Sequence, residues 1–284
     1  MTQGVLVFAY NNSQVDYVKQ AYFLAQRVKK YMNLPTSVVT DSGDYLRSIF
    51  PDYETVFDEI IDCFWSEDYN LKRYNDGSLA GKQLQFKNST RSSCYELSPY
   101  DETLVLDSDF IVSSDVLCEC FSQTKDFLIY RDSYDLANFR DYSEFDHISD
   151  SSVDFYWATV VFFRKTEMNK TFFDLIQHIQ ENWMHYNSVF QINSSVYRND
   201  HAFSIAIHIM NGYQQGDFAG KMPGKLFYTT DKDIVLDIDN DNFLVLVEKE
   251  NYLGEYTAIR FKQNNLHVMN KFSLNRIIEE QLNV

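Results

Sequence analysis

Tyr100-Asp101-Glu102-Thr103-Leu104-Val105-Leu106-Asp107-Ser108-Asp109 reads as a short apolar strand that stops on two acids separated by one serine. Two carboxylates at i and i+2 on a straight strand point to the same face, and charges set side by side at the end of a buried strand require a neutralising cation. A hard divalent ion suits them, because Mg²⁺ takes one or two protein carboxylates and completes its shell with substrate phosphate oxygens. In an Asp-rich chain an isolated Asp-x-Asp reads first as a solvated turn, since Asp is common after strands. The strand in front of it reverses that preference.

Working outward, Val5-Leu6-Val7-Phe8-Ala9-Tyr10 is a continuous apolar run closed by Asn11-Asn12-Ser13, as expected of a strand buried on both faces. Val15, Val18, Tyr22, Ala25 and Val28 recur at helical spacing up to Tyr31, with Pro35 just beyond. Thr36-Ser37-Val38-Val39-Thr40 then reads as a second strand, closed by Asp41-Ser42-Gly43-Asp44. A right-handed βαβ crossover brings both strand ends to one sheet edge, where open α/β sheets bind ligands. Gly81 to Tyr95 reads as a helix mixing basic and aromatic residues, broken by Ser98-Pro99. Further strands are expected at Phe127 to Tyr130, Tyr156 to Phe163, Ile234 to Ile238, Phe243 to Val247 and Thr257 to Lys262, and helices near Thr166 to Tyr186 and Asp200 to Asn211. Strands and helices interleave to about Asn211 and strands dominate after it.

The chain has 284 residues, 41 acidic and 25 basic, for a formal charge of −16, with 45% hydrophobic residues. That length and apolar content can bury a sizeable core, and the charge excludes a broad nucleic-acid surface, which needs clustered Lys and Arg. With 9 Gly and 4 Pro against 20 Tyr, 23 Phe and 3 Trp, linkers and low-complexity repeats are excluded. No run reaches the length of about 18 apolar residues that spans a membrane, and Met1-Thr2-Gln3-Gly4 leads directly into the first strand, so a cytoplasmic protein is expected. Cys63, Cys94, Cys118 and Cys120 form no C-x-x-C pair and read as free, mostly buried thiols. Asp237-x-Asp239-x-Asp241 with Glu248 has calcium-loop spacing, but Asn242 stands where that loop needs Gly. Its flanks are strand-like, so Asp239-Asn240-Asp241-Asn242 reads as a hairpin turn.

The Asp107-Ser108-Asp109 strand resembles the D-x-D strand of GT-A fold nucleotide-sugar glycosyltransferases, closest to the family 8 type, and also glycosyltransferase-like proteins of tailed phages. The resemblance runs from Val5 to Lys271. It implies a single domain over 1–284 with a mixed, mostly parallel sheet flanked by helices and a C-terminal β-hairpin region. Residues 1–115 would be the nucleotide-binding half and 116–284 the acceptor half. Arg91, 16 residues before Asp107, and Lys87 a turn earlier on the same helix match the basic residue that the family places before this strand to reach the sugar-diphosphate. Leu266-His267-Val268-Met269-Asn270-Lys271 resembles the family's H-x-x-G-x-x-K segment, without the Gly and with Lys at i+4. It implies His267 as third metal ligand beside Asp107 and Asp109, and Lys271 as a phosphate contact. Imidazole tilts such a site from Mg²⁺ towards Mn²⁺.

Arg198-Asn199-Asp200-His201 resembles the segment whose Asp faces the transferred sugar, with His201 in place of Gln, which makes Asp200 the catalytic candidate; the bland alternative is a helix cap. Trp157 to Phe163 stands where the family has its sugar-lining N-A-G-V strand, but lacks both Asn and Gly. Ala9, Tyr10 and Asn11 would hold the nucleotide base, Asp41 the base or ribose, and Ser108 would lie against the donor. The implied activity is metal-dependent transfer, with retention, from a nucleotide sugar, UDP being favoured, to a glycan, a protein or a hydroxymethylated phage DNA base, in the host cytoplasm if phage-encoded. Tyr130 to Tyr156, with Arg131, Tyr134, Phe139, Arg140, Tyr142, Phe145, His147 and many Asp residues, suits an acceptor-side lid. The alternatives are a nucleotidyltransferase, for which Asn11-Asn12-Ser13 lacks the Gly-rich phosphate loop, and a non-catalytic nucleotide- or glycan-binding module.

Overall fold

The computed structural model describes residues 1–63, 70–87, 89–137, 140, 145–150, 153–249 and 253–282. Strand β1 (Gln3–Ala9), helix α1 (Tyr17–Tyr31) and strand β2 (Thr36–Thr40) form the expected βαβ unit, with β1 and β2 parallel and Val5 opposite Thr36. All five residues of β2 are buried, so the run is covered on both faces. Asp16 caps α1 by accepting from the Lys19 N–H, and the helix buries Val18, Ala21, Tyr22, Leu24, Ala25 and Val28 against the sheet. Short helices α2 (Gly43–Ile49) and α3 (Tyr53–Val56) lead to β3 (Glu59–Asp62), which extends the parallel edge beside β2.

Residues 81–87 and 89–95 do not form the expected helix. Strands β4 (Asn70–Asn75) and β5 (Gly81–Phe86) pair as an antiparallel hairpin with Asn70 opposite Phe86, followed by a 3₁₀ turn at Ser89–Ser93 and helix α4 (Cys94–Leu97). The pairing wins because Tyr74 and Leu84 pack on Val15 from facing strands, while a helix would expose the Lys82 side of the segment and its few apolar residues alike. Gly77, at φ 75°, makes the turn. Lys87 and Arg91 therefore share no helix face.

Strand β6 (Glu102–Asp107) pairs parallel with the other edge of β1, Phe8 lying opposite Asp107. The chain order thus reverses at β1, which places a crevice beyond the carboxyl ends of β1 and β6. Next come β7 (Phe110–Ile111), β8 (Phe127–Tyr130), β9 (Ser133–Asp135) and β10 (Trp157–Arg164). Helices α5 (Glu167–Glu181), α6 (Trp183–Val189) and α7 (Asn199–Met210) follow, then β11 (Gly220–Lys221), β12 (Leu226–Thr229), β13 (Ile234–Asp239), β14 (Asn242–Glu248), β15 (Tyr256–Lys262), β16 (Leu266–Val268) and α8 (Lys271–Leu282). The main sheet runs β11-β8-β10-β6-β1-β2-β3, with β10 antiparallel to both neighbours and its other pairings parallel. This is the mixed, mostly parallel α/β architecture that the resemblance implies.

The aromatic excess fills the space between this sheet and α5 and α7, with Phe127 and Phe172 at 4.6 Å and Phe163 and Phe173 at 4.9 Å between ring centroids. The hairpin β13–β14 turns at Asn240, φ 51°, so the acidic repeat is a turn, as its strand-like flanks indicate. The four cysteines are free thiols. Among the described residues no helix is long and apolar enough to cross a membrane.

Gly4 is a point of close approach. A Cβ there would lie 2.3 to 2.5 Å from ring atoms of Tyr100, whose hydroxyl is bonded to Ser37 Oγ at 2.7 Å in the core. Gly4→Ala is therefore expected to cost about 1–3 kcal/mol in thermal or denaturant unfolding. An unchanged midpoint would contradict this packing.

Candidate active site

Asp107 is the last residue of β6, and the turn through Ser108 and Asp109 returns the chain into β7. β7 is antiparallel to β16 with His267 opposite Phe110, and the Val268 N–H donates to the Asp109 carbonyl at 3.0 Å. That register carries a residue from the far end of the chain to the acidic pair. His267 Nε2 lies 3.4 Å from Asp109 Oδ2, and one donor atom each from Asp107, Asp109 and His267 lies within 4.8 Å of the others. Two carboxylates and an imidazole nitrogen are a donor set that fits a divalent cation of intermediate hardness. His267 Nδ1 is buried and has no hydrogen-bond partner among the described residues.

Each carboxylate has its own cation. The Arg91 guanidinium pairs with Asp107 and donates to the Thr159 carbonyl at 3.1 Å, and Lys271, first residue of α8, pairs with Asp109. Burial pushes the Asp107 carboxyl up against the pull of Arg91, and the Asp109 charge adds to the rise. Burial acts on Asp109 in the same direction, but the Lys271 ammonium and the His267 imidazole outweigh it and hold that carboxyl well below the usual carboxylate range. Asp109 is the member of the pair whose charge is secured.

These groups face a cleft of about 430 Å³. β1 contributes Phe8 and the residue just after the strand Tyr10, the β4–β5 hairpin contributes Lys72, Tyr74 and Phe86, and β10 contributes Trp157, Ala158 and Thr159. Seven basic and five acidic residues line it, an excess of positive charge inside a chain of net charge −16. Most of the basic groups have acidic partners: Lys87 with Asp41 at 2.7 Å, Arg198 with Asp200 at 2.9 Å and Lys232 with Glu248 at 3.6 Å, besides Arg91 and Lys271.

Asp200, at the start of α7, is not the helix cap. Its Oδ1 accepts from the Ala158 N–H at 2.9 Å and its Oδ2 from Arg198 at 2.9 Å. Burial alone would raise its pKa, but Arg198 and the Ala158 N–H reverse the shift, so it is held ionised at the cleft wall. The neighbouring His201 turns inward, T-shaped to Phe155, and burial, with Arg198, pushes it down to about 4.

The other residues named from sequence take several positions. Tyr10 is buried and lines the cleft, as does Ser108. Ala9 is fully buried and its carbonyl accepts from Thr40 Oγ1 at 2.6 Å. The Asn11 side chain accepts from the Val18 N–H and donates to Asp16, both at 3.0 Å, which ties the loop to α1. Asp41 reaches the site through its pair with Lys87. Of the acceptor-side segment, Phe139, Asp141 and Tyr142 lie outside the described residues. Arg140 is buried between Asp135 and Asp233, both bidentate partners. Beside that network a second cavity of about 510 Å³ shares Phe145 with the first. Sequence reading missed the hairpin contribution, although Asp76-Gly77 between Tyr74 and Leu84 is a turn signal that pointed to it.

No protein-family model matches the chain, and no curated protein does. Among solved structures, it is similar to the glycosyltransferase GlyE of Streptococcus pneumoniae TIGR4, at 12% identity and a TM-score of 0.44 over 78% of this chain and 45% of that one. The apo form of GlyE aligns at 16% identity and a TM-score of 0.40 over 78% and 45%. The apo structure of the bifunctional glycosyltransferase WbbM aligns at 12% and 0.39 over 66% and 37%. The chain spans less than half the length of each of these structures.

Proposed function

We propose that the cleft binds a nucleotide-diphosphate sugar and transfers the sugar to a hydroxyl acceptor, with Asp107, Asp109 and His267 holding a divalent cation. The observation that carries this reading is the meeting of those three donors with a cleft whose basic residues outnumber its acidic ones. A cation bound there neutralises charge that builds on the leaving diphosphate. The imidazole favours Mn²⁺ over Mg²⁺. Arg91 and Lys271 fix the two carboxylates and add positive charge beside the leaving group, where preorganised charge lowers the barrier without reorganisation. Asp200, ionised and aimed by Ala158 and Arg198, would stabilise an oxocarbenium-like centre if the sugar is transferred with retention, as the family 8 resemblance implies, or accept the acceptor proton if it is transferred with inversion.

Tyr10, with Phe8 at the end of β1, offers aromatic surface for the base, and UDP is the first nucleotide to test. A glycan, a protein side chain and a hydroxymethylated DNA base are the acceptor classes to screen by mass spectrometry. Calorimetric titration of UDP with Mn²⁺ present is expected to give saturable binding that chelation abolishes, and a UDP-sugar to be hydrolysed slowly without acceptor. Absence of binding by UDP and the other common nucleoside diphosphates would overturn the reading. Tight binding without turnover on any donor would assign a nucleotide-binding module in its place.

A further inference from the structure

We infer that Lys72, on the β4–β5 hairpin, is a phosphate-binding residue of the cleft, supplying an ammonium to the phosphate of a nucleoside diphosphate that lies farther from the nucleoside. The inference rests on the proposed nucleotide-sugar function and adds to it a residue from an element outside the Asp107–Asp109 neighbourhood.

Lys72 differs from most of the basic groups around it. Among the described residues its ammonium makes no ion pair and no hydrogen bond, whereas Lys87, Arg91, Arg198, Lys232 and Lys271 each face a carboxylate. The residue is exposed, and its ammonium lies 4.9 Å from the Phe86 ring centroid and 5.8 Å from that of Tyr74, two aromatic walls that orient a cation without neutralising it. It lines the same cleft as Asp109, Lys271, Arg198 and Asp200, the groups that the proposed function sets at the diphosphate and the transferred sugar. Arg198 and Lys271 are each neutralised by a carboxylate, so an ammonium with no ion pair of its own adds to the positive excess of the lining and is free to meet a bound anion.

The hairpin is anchored, so this position is fixed by the fold. Arg276 of α8 makes two bonds to Asp76 at 2.8 and 2.9 Å, and Asn75 donates to Asp231 at 2.7 Å. The Tyr256 hydroxyl accepts from the Ser78 N–H at 2.9 Å.

The test uses the full chain with Mn²⁺ and two probes, UDP and UMP, titrated calorimetrically into wild type, Lys72→Met and Lys72→Arg. Methionine keeps the stem between the rings and removes the charge. Loss of one charge-assisted contact is expected to weaken UDP binding by about tenfold in Lys72→Met, leave UMP binding within about twofold of wild type, and be largely restored in Lys72→Arg. Wild-type UDP affinity in Lys72→Met, or an equal loss for UDP and UMP, would overturn the role of Lys72 and leave the nucleotide-sugar reading standing. Failure of the wild type to bind UDP or any other nucleoside diphosphate would overturn that reading and the role of Lys72 with it.

Discussion

Replacing Asp109 by Asn is expected to lower metal-dependent hydrolysis of the nucleotide sugar by at least about a hundredfold, the scale at which single preorganised electrostatic groups act. Asp109 is 4% exposed, and its Oδ2 is the atom on which both His267 and Lys271 converge. Asn keeps the shape, removes the charge from the cation site, and leaves the Lys271 ammonium without its partner in a largely buried position. Asp107 is already engaged by Arg91 and would be left as the one carboxylate of the donor set. The loss should appear in kcat with saturating donor, and Mn²⁺ titration should require higher concentrations. A thermal midpoint near that of the wild type would show that the fold survives. Undiminished turnover by Asp109→Asn would sink the assignment of the metal site.

The second large effect concerns stability. Arg140→Met is expected to cost about 3–5 kcal/mol in denaturant unfolding, the usual result of removing one partner from a buried charged network. The side chains of Arg140, Asp135 and Asp233 are 3%, 3% and 0% exposed, and the guanidinium meets both carboxylates through two nitrogens each. Asp233 also accepts the Thr230 and Glu248 N–H groups at 2.8 and 2.9 Å, so the network ties β9 to the segment before β13 and to the end of β14. Methionine fills much of the volume and leaves two buried carboxylates unneutralised. A loss below about 1 kcal/mol would mean that water reaches the site and that the network is not a buried one. Because Thr230 and Lys232 line the cleft, a weakened donor affinity in the same variant is expected alongside the lower stability.

What the chain reveals before folding follows from where its signals are local. β1 and β6 are legible because buried strands carry continuous apolar runs, β2 because its β-branched residues stand just past Pro35 and before a turn cluster, and α1 because it has helical apolar spacing and its own cap at Asp16. The β4–β5 hairpin is marked locally by the Asp76-Gly77 turn signal alone: Lys87, Arg91 and Tyr95 just after it are four apart and imitate a helix face, while the packing that decides the matter joins Tyr74 and Leu84 to Val15, far off in sequence. β7 and β16 are two and three residues long, too short for any period, and exist through pairing, β7 with β16 and β16 also with β12. His267 therefore reached the site by resemblance alone; nothing local to residues 266–271 marks it. Arg140 shows the same limit in reverse. It sits in a polar, aperiodic stretch that reads as a lid, and it is buried because a carboxylate 93 residues away meets it.

The central claim is that the cleft holds a divalent cation between Asp107, Asp109 and His267 and a nucleoside diphosphate beyond it. The most direct measurement is a crystal structure grown with UDP and Mn²⁺, with anomalous data collected at the manganese edge. A single strong anomalous peak within coordination distance of the Asp107 and Asp109 carboxylates and the His267 ring, bridged to the UDP phosphates, is the predicted result. A manganese peak away from these three side chains, or UDP bound in the cleft with no metal between its phosphates and Asp109, would contradict it.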